Sequence, residues 1–500
     1  MQSITNFLPR VIRWFRRRRS ASTPEPPTEV GQAPLSVLAA LPLSALPPFV
    51  RESEEARDCL ALLGALDWEH FPERSTHRLW PGPKPLPRAA FVAAFLLKLD
   101  NDLTSMRKLR RHLVRQPALI WLLGFPLVPS AAYSWGFDVE ASLPTHRHFS
   151  RVLRTLDRAQ LAFLLRGTVQ LLDLELPDYL AFGKEISLDT KHILAWVREN
   201  NPKAYIADRY DKTRQPKNDP DCKLGCKKKS NKLVADKPTH DGSAATPTQE
   251  ALPARNAEVG EYYWGYASGI VATKIDDWGE FVLAEYTQTF DKSDQSYFFP
   301  LMEQTETNLG RKPHSGALDA AYDAFYVYGY FHDAGGFAAV PWSKRGEKKF
   351  FSAQGLPLCA AGLAMPWRST FWNKSRALVP HECARYGCPL LYPAATGDAC
   401  PIGDPHWENG GCLTTLPTNP GNRIRHELDR ESPEYKALYK QRTATERLNA
   451  LALELGIERP KLRNQRSIAN NNTLIYVLLN LRALARVRQQ KAALAPQALA

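Results

Sequence analysis

Three acidic residues stand where carboxylates could work together. Asp189 closes a short apolar run, Ile186-Ser187-Leu188-Asp189, and is followed by Thr190-Lys191. Asp319 closes another, in Leu318-Asp319-Ala320-Ala321-Tyr322-Asp323. Glu446 lies in Tyr439-x2-Arg442-x3-Glu446, whose spacing puts a phenol, a guanidinium and a carboxylate on one helix face. Carboxylates at strand ends are rigidly aimed, and one from a packed helix completes an oxygen cage for Mg²⁺, a hard cation. Two such ions about 3.5–4 Å apart activate an attacking oxygen and stabilise a leaving one in phosphoryl transfer. Arg442 suits a bidentate grip on phosphate. Tyr439 suits a hydrogen bond to a phosphate oxygen or stacking on a base. Taken singly, each piece is ordinary: a strand-end Asp caps turns, and a helical Arg-x3-Glu is a surface ion pair. The combination, in this order and on these elements, is far more specific.

The elements that must hold these residues follow from periodicity. Between 179 and 342 the pattern predicts neighbouring strands at 186–189 and 193–196 and a hairpin of 262–275 with 280–286. A helix at 296–309, a strand at 314–319, a helix at 322–333 and a strand at 337–340 follow, which is an α/β order. Within this part, 198–255 is a polar insertion with a Lys-rich centre from Lys223 to Lys232. Residues 343–430, rich in Gly, Pro and Cys, resist regular assignment and form a second insertion. Residues 431–500 return to helix, at 433–455 and 472–490. Upstream, 51–178 is helical. Leu103, Met106, Leu109 and Leu113 share one helix face with Arg107, Lys108, Arg110, Arg111 and Arg115 around them, and 146–156 carries Arg147, Arg151 and Arg154. Short helices with basic faces suit a helix-turn-helix-like DNA-binding module; an all-helical packing domain with solvated Arg faces is the alternative. Residues 1–50 comprise a basic segment and a linker-like stretch holding seven prolines from Pro24 to Pro48.

Charge agrees with a polyanionic partner. The 500 residues carry 65 Lys+Arg against 52 Asp+Glu, a net charge of +13. With 44% apolar and 23% charged residues, the composition excludes a disordered or fibrous chain. No apolar run reaches the length of a membrane span. No uninterrupted apolar segment follows the basic N-terminus, so a signal peptide is not expected. Eight cysteines are too few for a disulfide scaffold and favour a reducing, cytoplasmic setting. Five of them, Cys359, Cys383, Cys388, Cys400 and Cys412, fall in the second insertion and are candidates for a structural Zn²⁺, although no Cys-x2-Cys pair occurs among them. Free, partly buried thiols are the alternative.

The sequence resembles DDE-class transposases of bacterial insertion sequences, in the group whose third acid lies in a Tyr-x2-Arg-x3-Glu-x6-Lys signature. The likeness runs from about 144 to 487. It is carried by Ser187-Leu188-Asp189-Thr190-Lys191, by Asp219-Pro220-Asp221-Cys222-Lys223-Leu224-Gly225-Cys226, by 318–323 and by 429–464. The resemblance implies an RNase H-like (retroviral-integrase-like) α/β catalytic domain with an insertion before the Glu, preceded by an all-helical domain. It makes Asp189, Asp319 and Glu446 catalytic ligands of Mg²⁺ or Mn²⁺, with Asp323 a rival for the second role. It makes Tyr439, Arg442, Lys191 and Arg447 contacts to DNA or phosphate. Leu453 stands where the signature has Lys, so Arg447, Arg459 or Lys461 would have to supply that charge. The implied activity is hydrolysis at terminal inverted repeats followed by strand transfer, on double-stranded DNA of transposon ends and target. The implied protein is a nucleoid-associated homodimer on DNA with no membrane partner. A non-catalytic transposase-derived DNA-binding protein and a metal-dependent nuclease are the alternatives.

Overall fold

The computed structural model describes residues 31–74, 85–234, 255–343, 347–374 and 378–494, with backbone alone at 228–234 and 255–260. The basic segment 1–20 lies outside the described residues. The chain divides into two compact units, 1–98 with 103–152, and 99–102 with 153–500.

The first unit is helical. In the helix Met106–Arg115, Met106, Leu109 and Leu113 are buried, while Arg107, Lys108, Arg111 and Arg115 are exposed. Arg110 is tied down, donating to the Glu140 carboxylate and the Pro144 carbonyl. Phe91, Phe125 and Phe149 meet edge-on or tilted at the centre, with ring centroids 5.1–5.8 Å apart. The proline-rich stretch is not a linker where it is described. Leu35, Leu38, Leu46 and Val50 are all buried. Pro48 occupies the first turn of the helix Pro48–Arg51, a position that needs no amide donor.

The second unit is mixed α/β, a curled mixed sheet with helices. Its elements are α1 (Arg158–Glu175), β1 (Glu185–Leu194), β2 (Lys223–Val234), β3 (Arg255–Ile275), β4 (Gly279–Thr289), α2 (Phe298–Leu309), β5 (Ser315–Leu318), α3 (Phe325–Asp333) and β6 (Ala338–Ala339). Then come β7 (Trp367–Asn373), β8 (His381–Tyr386), β9 (Thr414–Pro417), α4 (Pro420–Glu427), α5 (Pro433–Tyr439), α6 (Thr443–Glu454) and α7 (Gln465–Leu494). Asp157 caps α1 in a full capping box with Gln160. The two strands expected at 186–189 and 193–196 are one continuous β1. β1 pairs antiparallel with β3 and parallel with β5, and β5 pairs parallel with β6. β4 and β2 pair antiparallel with successive stretches of β3, so the main path reads β2-β3-β1-β5-β6. The Lys-rich insertion is therefore not a loop throughout: its centre is a strand.

The turn between β3 and β4 places Asp277 at φ 68° and Gly279 at φ 119°, the left-handed geometry a tight hairpin needs. α7 is buried on most sides, with Ile475, Tyr476, Val477 and Leu478 nearly solvent-free. Its Asn480 side chain accepts from the Val282 amide (2.9 Å) and donates to the Val282 carbonyl (2.8 Å), like a strand neighbour. That satisfies β4 beside its bulge, where a bare backbone pair would be costly. Two arginines near the end of α7 are paired within the protein, Arg482 with Asp100 and Arg488 with Glu175. Among the described residues no helix is long and apolar enough to cross a membrane.

Candidate active site

Register brings the first two acids side by side. β1 and β5 are parallel neighbours with Leu188 opposite Leu318, so Asp189 and Asp319 each stand one residue further on. Adjacent strands lie about 4.8 Å apart, and residues at matched positions point to the same face. Asp319 caps a short 3₁₀ turn, accepting from the Ala321 amide at 3.3 Å. Asp189 accepts from Asn449 Nδ2 at 3.4 Å. Burial pushes the Asp189 carboxyl up to about 6 against the pull of the Thr190 amide and Arg442, and the like charges of Asp319 and Asp294 push the same way.

The helix face predicted from spacing is formed. α5 runs through a 3₁₀ turn at Lys440–Arg442 into α6 without leaving helical backbone angles. Arg442 Nη1 donates to the Tyr439 hydroxyl at 2.9 Å, and its Nη2 lies 3.5 Å from Glu446 Oε1. Burial works against the Arg442 charge, but Tyr439, Asp189 and Asp319 outweigh it and hold the guanidinium firmly protonated. Arg442 Nε is buried with no hydrogen-bond partner, as is the Tyr322 hydroxyl. Burial, then Asp294 and Asp189, raise the Tyr322 phenol well above its usual range.

Glu446 is the least engaged of the three acids. Its side chain is 59% exposed and its contact is with Arg442. Among the described residues no group of three or more His, Cys, Asp or Glu side chains meets the spacing of a metal-binding group. The donors nonetheless suit a hard cation: carboxylates from two adjacent strand ends, a third on the helix facing them, and two orphaned polar atoms nearby. Asp189 and Asp319 are the residues that would hold Mg²⁺ or Mn²⁺, while Glu446 lies on Arg442 and not at ligand spacing with them.

Asp323 is committed elsewhere. Arg425 grips it bidentately, at 2.8 Å from Nε and from Nη2, while Tyr328 donates at 2.8 Å and the Ser343 amide at 2.9 Å. Burial opposes its ionisation, but Arg425 and these donors prevail and hold the carboxyl below its ordinary value. Two expected phosphate contacts are also engaged within the protein: Lys191 Nζ lies 3.6 Å from Glu458, and Arg447 lies 2.5 Å from Glu280. Leu453 is exposed two turns beyond Glu446. Near the C-terminal end of β1, Trp196 is half exposed with the Arg463 guanidinium 4.7 Å over its ring, beside Arg459 at the rim of a cavity of about 480 Å³.

Sequence reasoning missed Asn449 and Asp294. Asn449 was within reach, because it continues the Tyr439, Arg442, Glu446 stripe by one turn. Asp294, which accepts from Thr190 Oγ1 at 2.9 Å, comes near only through tertiary packing. Of the five zinc candidates, Cys359, Cys388, Cys400 and Cys412 line one cavity, whereas Cys383 is buried on β8 and does not line it. No protein-family model, curated protein or solved structure matches this chain.

Proposed function

We propose that the protein is a DNA transposase acting by metal-dependent phosphodiester hydrolysis and strand transfer, on an RNase H-like sheet. The observation that carries this reading is the register of β1 and β5, with Asp189 and Asp319 side by side and the Arg442–Glu446–Asn449 face turned toward them. The sheet supports the fold assignment: an antiparallel β4-β3-β1 set continues into parallel β5 and β6, with the acids on β1, after β5 and on a later helix.

Bound Mg²⁺ or Mn²⁺ would supply activation of water and of the terminal 3′-hydroxyl and neutralise charge building on the phosphate. Asp189 and Asp319 fix the position of the reacting phosphate. Asn449 holds Asp189 in its rotamer. Arg442, steadied by Tyr439, presents a guanidinium to phosphate oxygens once Glu446 turns away from it. Exposed basic faces on the helices 106–115 and 146–155 serve as non-specific contacts to the DNA backbone. Cleavage and joining use the same geometry with different nucleophiles, so one site serves both.

The test is an oligonucleotide assay with the element's own ends and Mg²⁺. Asp189→Ala, Asp319→Ala and Glu446→Ala should each abolish cleavage and strand transfer while leaving end binding intact. Full activity in any two of them would sink the reading. A second reading, a transposase-derived DNA-binding protein without catalysis, draws on Glu446 being paired to Arg442 and on Leu453 at the signature Lys position. End binding with no nicking in Mg²⁺ or Mn²⁺ would favour it.

A further inference from the structure

Residues 343–430 contain little to hold them together. Their buried apolar side chains among the described residues are Pro357, Met365, Cys383, Ala384, Cys388 and Leu416. Trp367, Trp372, Phe350 and Leu413 are each more than half exposed. A three-stranded sheet (β7, β8, β9) with so small a core calls for a staple.

We propose that Cys359, Cys388, Cys400 and Cys412 hold a structural zinc ion in a four-thiolate site. All four line one cavity of about 10 Å³, room for a single water-sized sphere. Two of them open turns of the same design. In Cys359-Ala360-Ala361-Gly362 the Gly362 amide donates to the Cys359 carbonyl at 2.9 Å, and Gly362 has φ 77°. In Cys400-Pro401-Ile402-Gly403 the Gly403 amide donates to the Cys400 carbonyl at 3.1 Å, and Gly403 has φ 60°. Beyond the second turn the Asp404 amide reaches Cys400 Sγ at 3.5 Å. Amides aimed at sulfur stabilise a thiolate and orient it toward a metal.

The other two thiols are brought together by backbone packing. Cys388 and Cys412 are neighbours: burial first, then the Cys388 thiol beside it, pushes the Cys412 thiol up to about 12. Gly411, at φ 75°, lies so close that a Cβ would stand 2.6 Å from Cys388 Cβ. Only glycine lets the chain pass there and deliver Cys412 to the same cavity. Four soft donors in this arrangement select zinc, with Zn–S bonds of about 2.3 Å. The four sulfurs are not yet at ligand spacing. Closing them on one ion requires the side chains to turn about their Cα–Cβ bonds. Neither His381, which packs on the Phe325 ring at 4.5 Å, nor the exposed His406 lines the cavity.

The test uses the full chain, purified under reductant without added metal, with zinc measured by mass spectrometry. About one zinc per chain is expected. Co²⁺ added to the chelated protein should give thiolate-to-cobalt charge-transfer bands and intense tetrahedral d–d bands. Cys400→Ser and Cys412→Ser should lose the ion, and Cys383→Ser should keep it. If the serine variants do not fold, titration of the intact wild-type chain with a mercurial decides, since zinc should leave as these thiols react. Wild-type protein without zinc or cobalt bands overturns the proposal. So does a Cys388–Cys412 disulfide persisting under reductant, or equal loss of zinc in Cys383→Ser.

Discussion

Asp189 is a buried carboxylate whose charge is useful and costly at once. Its displacement from 3.8 to about 6 corresponds to roughly 3 kcal/mol at neutral pH. Because the folded value lies above the unfolded one, the native state holds that proton more tightly. Stability from this group is therefore lost as pH rises from 3.8 through about 6. Asp189→Asn should accordingly raise the thermal midpoint while abolishing strand transfer, a trade of stability for function that calorimetry and the end-cleavage assay measure together. Mg²⁺ binding by the wild type should weaken as pH falls through about 6, where a proton competes with the metal for this carboxylate. An affinity for Mg²⁺ unchanged from pH 5 to 8 would take Asp189 out of the metal site. Asp319 and Asp323, four positions apart, should separate cleanly. Asp323→Ala leaves the partly buried Arg425, the Tyr328 hydroxyl and the Ser343 amide without their shared acceptor and should cost about 3 kcal/mol in denaturant unfolding. Asp319→Ala should cost under about 1 kcal/mol and end catalysis. Comparable destabilisation by both would undo the assignment of roles.

At the scale of elements, the buried amide of Asn480 bridges α7 to the backbone of β4. Asn480→Leu strips Val282 of both partners and should destabilise the second unit by about 2–3 kcal/mol, readable as faster hydrogen exchange along 279–289. Elements with clean periodicity were legible in the sequence. The 262–275 and 280–286 hairpin, the helix at 296–309 and the Tyr439, Arg442, Glu446 stripe all follow from alternation or helical spacing, which burial then enforces. The strand 223–234 was not legible. Its lysines read as a solvated loop, and it is a strand because β3 runs long enough to pair with it. The buried stretch 35–50 was hidden in the same way, since prolines at helix starts look identical to prolines in a linker. Glu446 was legible as a position but not as a geometry: spacing puts it beside Arg442, and nothing local says which of the two faces Asp189.

For the whole molecule, the +13 charge is spread rather than concentrated. Exposed Arg107, Lys108, Arg111, Arg147 and Arg154 lie in the helical part, and Lys223 and Lys227 on the long hairpin. Proteins that neutralise six to ten phosphates lose about 10³–10⁵ in affinity between 50 and 200 mM salt. End binding here should show that steepness, and Arg107→Ala/Arg111→Ala should lower the slope of log affinity against log salt by about 2. An unchanged slope would take the helix 106–115 off the DNA. The Asp323 carboxylate bears on the molecule's layout as well as its stability. It binds the amide of Ser343, where the chain leaves the central sheet, and the guanidinium of Arg425, where it comes back. One side chain thus fastens both ends of an excursion of some eighty residues, so the distance between exit and return is set regardless of what lies between them. Shortening or enlarging this excursion between the two points should leave Asp189 and Asp319 aimed as they are. An engineer could fuse a foreign domain at the same two points.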